Sequence, residues 1–315
     1  MTKLLITRVL PEANLAAARA RFDVTVRQTS VGLTMAEAAE ALQSYDAILP
    51  TLGDQFTAEA FVGDLRCKVL ANFGVGYNHI DVAAAGRAGV LVSNTPDVVT
   101  DATADIGMTL ILSSCRRAGE GERLVRADAW TGWNPTQMLG THVTGKTVGI
   151  VGMGRIGQAV AKRCHYGFDM PVIFYNRSPK KVAMPATQVN SLQDLMSGAD
   201  IIVVTVPGGG TNTHLIDAAA LAAMKPTGIF VNIARGDVVD EPALITALQD
   251  GAIAGAGLDV FEHEPHVPDA FRDLENVVLL PHLGTAALEV REAMGQMAID
   301  NITAWEEGRD LPQAV

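Results

Sequence analysis

The chain has 315 residues, 48% of them hydrophobic and 19% charged, and a formal net charge of -11. That length suits about two ordinary domains, each able to bury its own core, while the acidic balance argues against nucleic acid as a partner, because nonspecific binding there depends on cationic side chains. The apolar runs fall far short of the ~20 residues of a membrane span, the N-terminus has no signal-peptide core, and Cys67, Cys115 and Cys164 lack the CxxC spacing of a metal site or a disulfide framework; together these features predict a cytoplasmic protein without a membrane partner.

In chain order, short apolar segments at residues 4–7, 47–50, 69–71 and 90–93 read as buried strands, and alanine and leucine at helical spacing over 12–21 and 35–43 read as helices. A helix is expected over 101–117. Six further strand candidates follow at 147–151, 172–175, 201–206, 229–232, 254–259 and 277–280, and a last helix over 289–307. Alternation of this kind predicts parallel βαβ units, and six strands with crossovers match a doubly wound dinucleotide sheet. Gly208-Gly209-Gly210 reads as a loop after a strand end.

Directly after the 147–151 segment comes Gly152-Met153-Gly154-Arg155-Ile156-Gly157, followed by a helix-like stretch. In that context the first glycine permits a tight turn, the second lets backbone approach a pyrophosphate, and the third allows close helix-to-strand packing. The helix start then faces the phosphate with its free amides. About 20 residues further on, an NAD site usually places an acid for the ribose hydroxyls. This chain has Asn176-Arg177-Ser178, with Lys180 and Lys181 nearby. A carboxylate repels a 2′-phosphate, whereas an amide, a guanidinium and a hydroxyl all donate to one. The turn therefore predicts NADP(H) as the preferred coenzyme, with NAD(H) bound more weakly.

Gly74-Val75-Gly76-Tyr77, Asn94-Thr95-Pro96-Asp97-Val98, Thr103-Ala104-Asp105, Gly145-Lys146-Thr147, the glycine fingerprint, Asn232-Ile233-Ala234-Arg235-Gly236, Gly257-Leu258-Asp259-Val260-Phe261, Glu264-Pro265 and Pro281-His282 occur in that order. With these blocks the chain resembles the D-isomer-specific 2-hydroxyacid dehydrogenase family, and within it the glyoxylate/hydroxypyruvate reductases. The resemblance implies an α/β protein of two Rossmann-like doubly wound parallel-sheet domains. A coenzyme domain, 98–285, would be inserted in a discontinuous substrate domain, 1–97 with 286–315, and the active site would lie in the cleft. One block departs: residues 207–212 read Pro-Gly-Gly-Gly-Thr-Asn where the family often has Pro-Leu-Thr-Pro-Glu-Thr.

The resemblance also implies a catalytic trio of Arg235, Glu264 and His282, each following a predicted strand end, where an open α/β sheet places its ligand crevice. Arg235 would clamp a carboxylate and polarise the adjacent ketone with its planar fork of donors. His282 would act as general acid in reduction and as base in oxidation, and Glu264 would favour the charged imidazole. Val75 and Gly76 match a loop whose amides hold the substrate carboxylate. Thr103, Pro207, Ile233, Ala234, Asp259 and Gly284 match coenzyme contacts, Asp259 at the nicotinamide carboxamide. Trp133 resembles a residue that some reductases project into a partner's active site, and the region 101–133 resembles a dimerisation segment, which implies a homodimer. His263-Glu264-Pro265-His266 lacks the i,i+4 pairing and further ligands of a metal site. The expected activity is NADPH-dependent reduction of a small 2-keto acid. Two alternatives remain: a reductase of a larger acid such as hydroxyphenylpyruvate, and a non-enzymatic dinucleotide-sensing corepressor-like protein.

Overall fold

The structure, a computed structural model, describes residues 1–315. It divides into two compact units, Met1–Val99 with Thr285–Val315, and Thr100–Gly284. Both are built on parallel sheets.

The first unit contains β1 (Lys3–Ile6), β2 (Asp23–Val26), β3 (Ala47–Leu49), β4 (Val69–Ala71) and β5 (Leu91–Ser93), in the spatial order β2-β1-β3-β4-β5. The strand pairs are all parallel. Successive side chains point to opposite faces of a strand, so Leu5, Ile48, Leu70 and Val92 enter one apolar layer and Leu4, Ile6, Leu49 and Val69 the other. Into the second layer the helix Leu288–Glu306 inserts Ala298, Ile299 and Ile302. This explains why the last segment of the chain belongs to the same unit as the first. The sequence reading missed β2, whose residues alternate between exposed and half-buried.

The second unit holds β6 (Val148–Val151), β7 (Val172–Tyr175), β8 (Thr187–Gln188), β9 (Ile201–Val204), β10 (Ile229–Asn232), β11 (Gly255–Leu258) and β12 (Val277–Leu279). Their order is β12-β11-β10-β9-β6-β7-β8, again parallel throughout. Helices cover both faces, which is why Ile201 and Val203 join one core cluster while Ile202 and Val204 join the other. Each such fully buried side chain contributes roughly 1.5–3 kcal/mol. Six strands were expected and seven are present; the extra one, β8, is a two-residue edge strand of threonine and glutamine with no apolar signal. Strand order reverses between β6 and β9, the switch point at whose carboxyl edge a doubly wound sheet takes its ligand.

The turn from β6 into the helix Arg155–Phe168 is set by two glycines. Gly152 has φ +94°, and a Cβ there would sit 2.6 Å from Val206 Cγ1. At Gly157 a Cβ would overlap the Gly152 carbonyl oxygen and lie 2.9 Å from Thr205 Oγ1, so the helix rests on the sheet through this glycine. Gly154, by contrast, has an ordinary φ of -73° and open space where its Cβ would go. Gly157→Ala should therefore cost about 1–3 kcal/mol, the usual toll of overpacking, and lower the melting temperature by several degrees in a circular dichroism scan. Gly154→Ala should leave that temperature unchanged. Equal effects of the two would mean that the turn is not packed as described.

Candidate active site

Apart from Thr103, which lies in the helix Thr100–Cys115, and Trp133, the residues singled out in the second unit follow the carboxyl ends of its strands. After β6, the helix Arg155–Phe168 begins at Gly154 with no side-chain cap. The first turn of a helix that begins in this way suits an anion. The forced turn at Gly152, the packing glycine at 157 and the open backbone at 154 together fit the pyrophosphate of a dinucleotide.

After β7, Asn176 Oδ1 accepts a hydrogen bond of 2.7 Å from the Met153 amide, tying this turn to the glycine loop. The amide nitrogen, the part of Asn176 expected to donate to a 2′-phosphate, is not the atom used in this tie. Gln188 holds the turn from below, donating from Nε2 to the carbonyl oxygens of Asn176 at 3.3 Å and Ser178 at 3.1 Å. Arg177 is exposed and donates from Nη1 to Thr211 Oγ1 at 2.5 Å.

After β10 comes Arg235. The buried Asn232 shapes this loop by donating from Nδ2 to the Arg235 carbonyl oxygen at 2.9 Å and accepting at Oδ1 from the Ala234 amide at 3.0 Å. Ile233 and Ala234 are buried. Gly236 then meets the loop after β11: a Cβ there would overlap the Phe261 carbonyl group and the Glu262 nitrogen, so the two backbones are in direct contact. Burial pulls the Arg235 pKa below its usual value against the fields of Glu264 and Asp237. A guanidinium nonetheless keeps its charge at neutral pH.

The loop after β11 carries Asp259 and Glu264, and the turn after β12 carries His282. His282 Nδ1 lies 2.8 Å from Glu264 Oε2, and the Phe261 amide donates to Glu264 Oε1 at 3.0 Å. Burial alone would push the Glu264 carboxyl up; the hydrogen bond and charge of His282, the Phe261 amide and the charge of Arg235 more than offset it and leave the pKa below the usual value. At neutral pH Glu264 is thus a carboxylate facing an imidazole and a guanidinium. His282 itself has φ 55°, a conformation that costs a non-glycine residue of order 1–3 kcal/mol. Asp259 holds it there. The His282 amide donates to the Asp259 carbonyl oxygen at 2.9 Å, and the Asp259 carboxylate accepts from the amides of Leu283 at 2.6 Å and Gly284 at 2.9 Å. Burial raises the Asp259 pKa, and those two amides with the His282 charge offset this only in part.

Thr103, Asp259 and Gly284 meet: a Cβ at Gly284 would lie 3.4 Å from Asp259 Oδ2 and 3.5 Å from Thr103 Oγ1. Trp133 is 79% exposed, on a segment whose Val125, Trp130 and Leu139 are exposed as well. Val75 and Gly76 belong to the first unit. There Asn94 Nδ2 donates to the Val75 carbonyl oxygen at 2.8 Å and Asn72 Nδ2 to that of Gly76 at 3.0 Å, which fixes the loop after β4.

Sequence reasoning missed two supports. One is Asn232, the last residue of β10. The other is Glu241, only 6% exposed, whose Oε1 accepts from the Glu262 amide at 2.9 Å and so anchors the loop that carries Glu264. Burial pushes the Glu241 pKa up.

Residues 108–284 match the family model for the D-isomer specific 2-hydroxyacid dehydrogenase, NAD binding domain. Over 99% of this chain, the glyoxylate reductase of Pyrococcus furiosus is 40% identical, with 95% of that protein covered. The glycerate dehydrogenase of Hyphomicrobium methylovorum is 38% identical over 99% of this chain and 98% of its own length. Among solved structures, the NADPH-dependent glyoxylate/hydroxypyruvate reductase of Sinorhizobium meliloti, in complex with NADP and malonate, superposes with a TM-score of 0.90 at 32% identity, covering 100% of this chain and 96% of that one. The chain belongs to the D-isomer specific 2-hydroxyacid dehydrogenase family and is an NAD(P)-dependent oxidoreductase.

Proposed function

We propose that the protein reduces a small 2-keto acid, glyoxylate or hydroxypyruvate, to the 2-hydroxy acid, with NADPH preferred and NADH used more weakly. The observation that carries this reading is the 2.8 Å contact between His282 Nδ1 and Glu264 Oε2. It commits one ring nitrogen to a carboxylate and leaves Nε2 for the substrate. Relatives named glyoxylate reductase and glycerate dehydrogenase support the substrate class.

When bound, the nicotinamide supplies the hydride that reduces the keto carbon. Gly152, Gly154, Arg155, Ile156 and Gly157 would hold the pyrophosphate, Asn176, Arg177 and Ser178 the adenosine side, and Thr103, Pro207, Ile233, Ala234, Asp259 and Gly284 the remaining contacts. Arg235 takes the substrate carboxylate and the ketone oxygen through its planar donors, drawing electron density from the carbonyl carbon. The charged His282 gives its Nε2 proton to that oxygen as the carbonyl becomes a hydroxyl, and is left as neutral imidazole. Glu264 favours the charged ring at the start of this step, because an adjacent carboxylate stabilises an imidazolium.

The pair sets the pH dependence. Glu264 is ionised at neutral pH, so replacing it by glutamine removes a negative charge from beside the ring and with it the stabilisation that a carboxylate gives an imidazolium. In Glu264→Gln the alkaline fall-off of keto-acid reduction should therefore move to lower pH, while His282→Ala should depress turnover by roughly 10²–10⁴-fold with coenzyme affinity nearly unchanged. Rate-against-pH profiles under conditions where chemistry limits turnover measure this, and an unmoved alkaline limb would remove Glu264 from the mechanism.

The coenzyme preference rests on the turn after β7, which offers an amide, a guanidinium and a hydroxyl and no acid. In the same assay kcat/KM should be higher with NADPH than with NADH. Arg177→Ala should raise the KM for NADPH roughly tenfold, as expected for loss of a charge-assisted hydrogen bond, and leave that for NADH nearly unchanged. A wild-type enzyme that works better with NADH would contradict this reading of the turn.

A further inference from the structure

The loop after β9 folds in a way that favours glycine at three successive positions. At Gly208 a Cβ would lie 2.6 Å from Asp237 Oδ1 and 2.7 Å from Arg235 Cγ, while Gly209 and Gly210 follow one another with φ of 75° and 56°. A proline could not occupy either of those last two positions, because its ring fixes φ near -65°. Both ends of the loop are pinned. The Gly209 amide donates to Asp237 Oδ2 at 2.6 Å, and the buried Asn212 donates from Nδ2 to the Pro207 carbonyl oxygen at 2.9 Å. What this conformation delivers is Thr211, whose Oγ1 receives the Arg177 guanidinium at 2.5 Å.

The chemistry of that contact matters. In a chain of net charge -11, the side-chain partner of Arg177 is a hydroxyl and not a carboxylate, so the positive charge is oriented without being neutralised. A hydroxyl has one donor hydrogen and two lone pairs. With a lone pair taken by Arg177, the Thr211 hydrogen is still able to point at a second acceptor beside the guanidinium. The backbone of the Arg177 turn is fixed as well, through Asn176 to the glycine loop and through Gln188 to the sheet edge.

We propose that Thr211 is a coenzyme-selecting residue: its hydroxyl holds the Arg177 guanidinium and, with it, forms the seat of the adenosine 2′-phosphate, to which the Gly208-Gly209-Gly210 run brings it. This rests on the NADPH reading above. A valine at 211 keeps the shape and releases the guanidinium. A glutamate pairs with Arg177 in the place of the phosphate and repels the phosphate itself.

Isothermal titration calorimetry of the full chain with adenosine 2′,5′-bisphosphate and adenosine 5′-monophosphate tests the proposal without any turnover. The wild type should bind the bisphosphate at least tenfold more tightly than the monophosphate. Thr211→Val should weaken bisphosphate binding roughly three- to tenfold, as for one exposed hydrogen bond to a charged group, with Thr211→Ser close to wild type. Thr211→Glu should abolish the preference, and no variant should change monophosphate affinity. A Thr211→Val variant that binds the bisphosphate like wild type, or that loses the monophosphate equally, overturns the role of Thr211 while the wild-type preference keeps the coenzyme reading. A wild type that does not prefer the bisphosphate overturns both.

Discussion

The site in the second unit depends on one contact between two backbones. Gly236 lies against the peptide joining Phe261 and Glu262, with room for a hydrogen and for nothing larger. Through it the loop after β10, which carries Arg235, and the loop after β11, which carries Glu264, share one position relative to the sheet. Each loop is then locked from its own side, the first by Asn232 and the second by Glu241. Loops that end parallel strands are free to vary between proteins; here their freedom is removed by a glycine, an amide and a buried carboxylate, none of which is proposed to touch substrate.

The electrostatics follow from that placement. Glu264 stands between an arginine and a histidine, and it remains ionised despite its burial because both neighbours and a backbone amide favour the charged form. Asp259, at the root of the same loop, is used differently. Its two carboxylate oxygens take up the amides of Leu283 and Gly284 and so hold His282 in its left-handed conformation. Two acids five residues apart in sequence thus do separate work: one supports the turn, the other is proposed to tune the ring.

Much of this was legible in the sequence, for reasons that can be named. The six longer strands of the second unit are visible because residues such as Ile201–Val204 are buried on both faces and must all be apolar. The glycine fingerprint is legible because its spacing reflects two steric demands of the fold, at Gly152 and Gly157, with Gly154 between them where a dinucleotide is proposed to approach. Strands β2 and β8 escaped because they are short edge strands with few buried residues, which leaves the composition unconstrained. Glu241 escaped because Asp240-Glu241-Pro242 reads as an ordinary helix start, with Asp240 as the cap; its burial arises only when a loop some twenty residues later folds over it. Nor does the Gly208-Gly209-Gly210 run reveal, before the loop is seen, that it places Thr211 on Arg177.

The measurement that bears most directly on this account is the substitution of Gly236 by alanine. The added methyl group must push apart the loops that carry Arg235 and Glu264, and a displacement of about 1 Å is enough to cost on the order of 10²-fold in rate. The account predicts that Gly236→Ala keeps its far-ultraviolet circular dichroism spectrum and most of its affinity for the dinucleotide, whose pyrophosphate is proposed to bind at the β6 turn, while kcat for 2-keto acid reduction falls by that factor. A folded Gly236→Ala protein with wild-type kcat would contradict it, since the contact between the two backbones would then not be what holds the proposed catalytic groups in place.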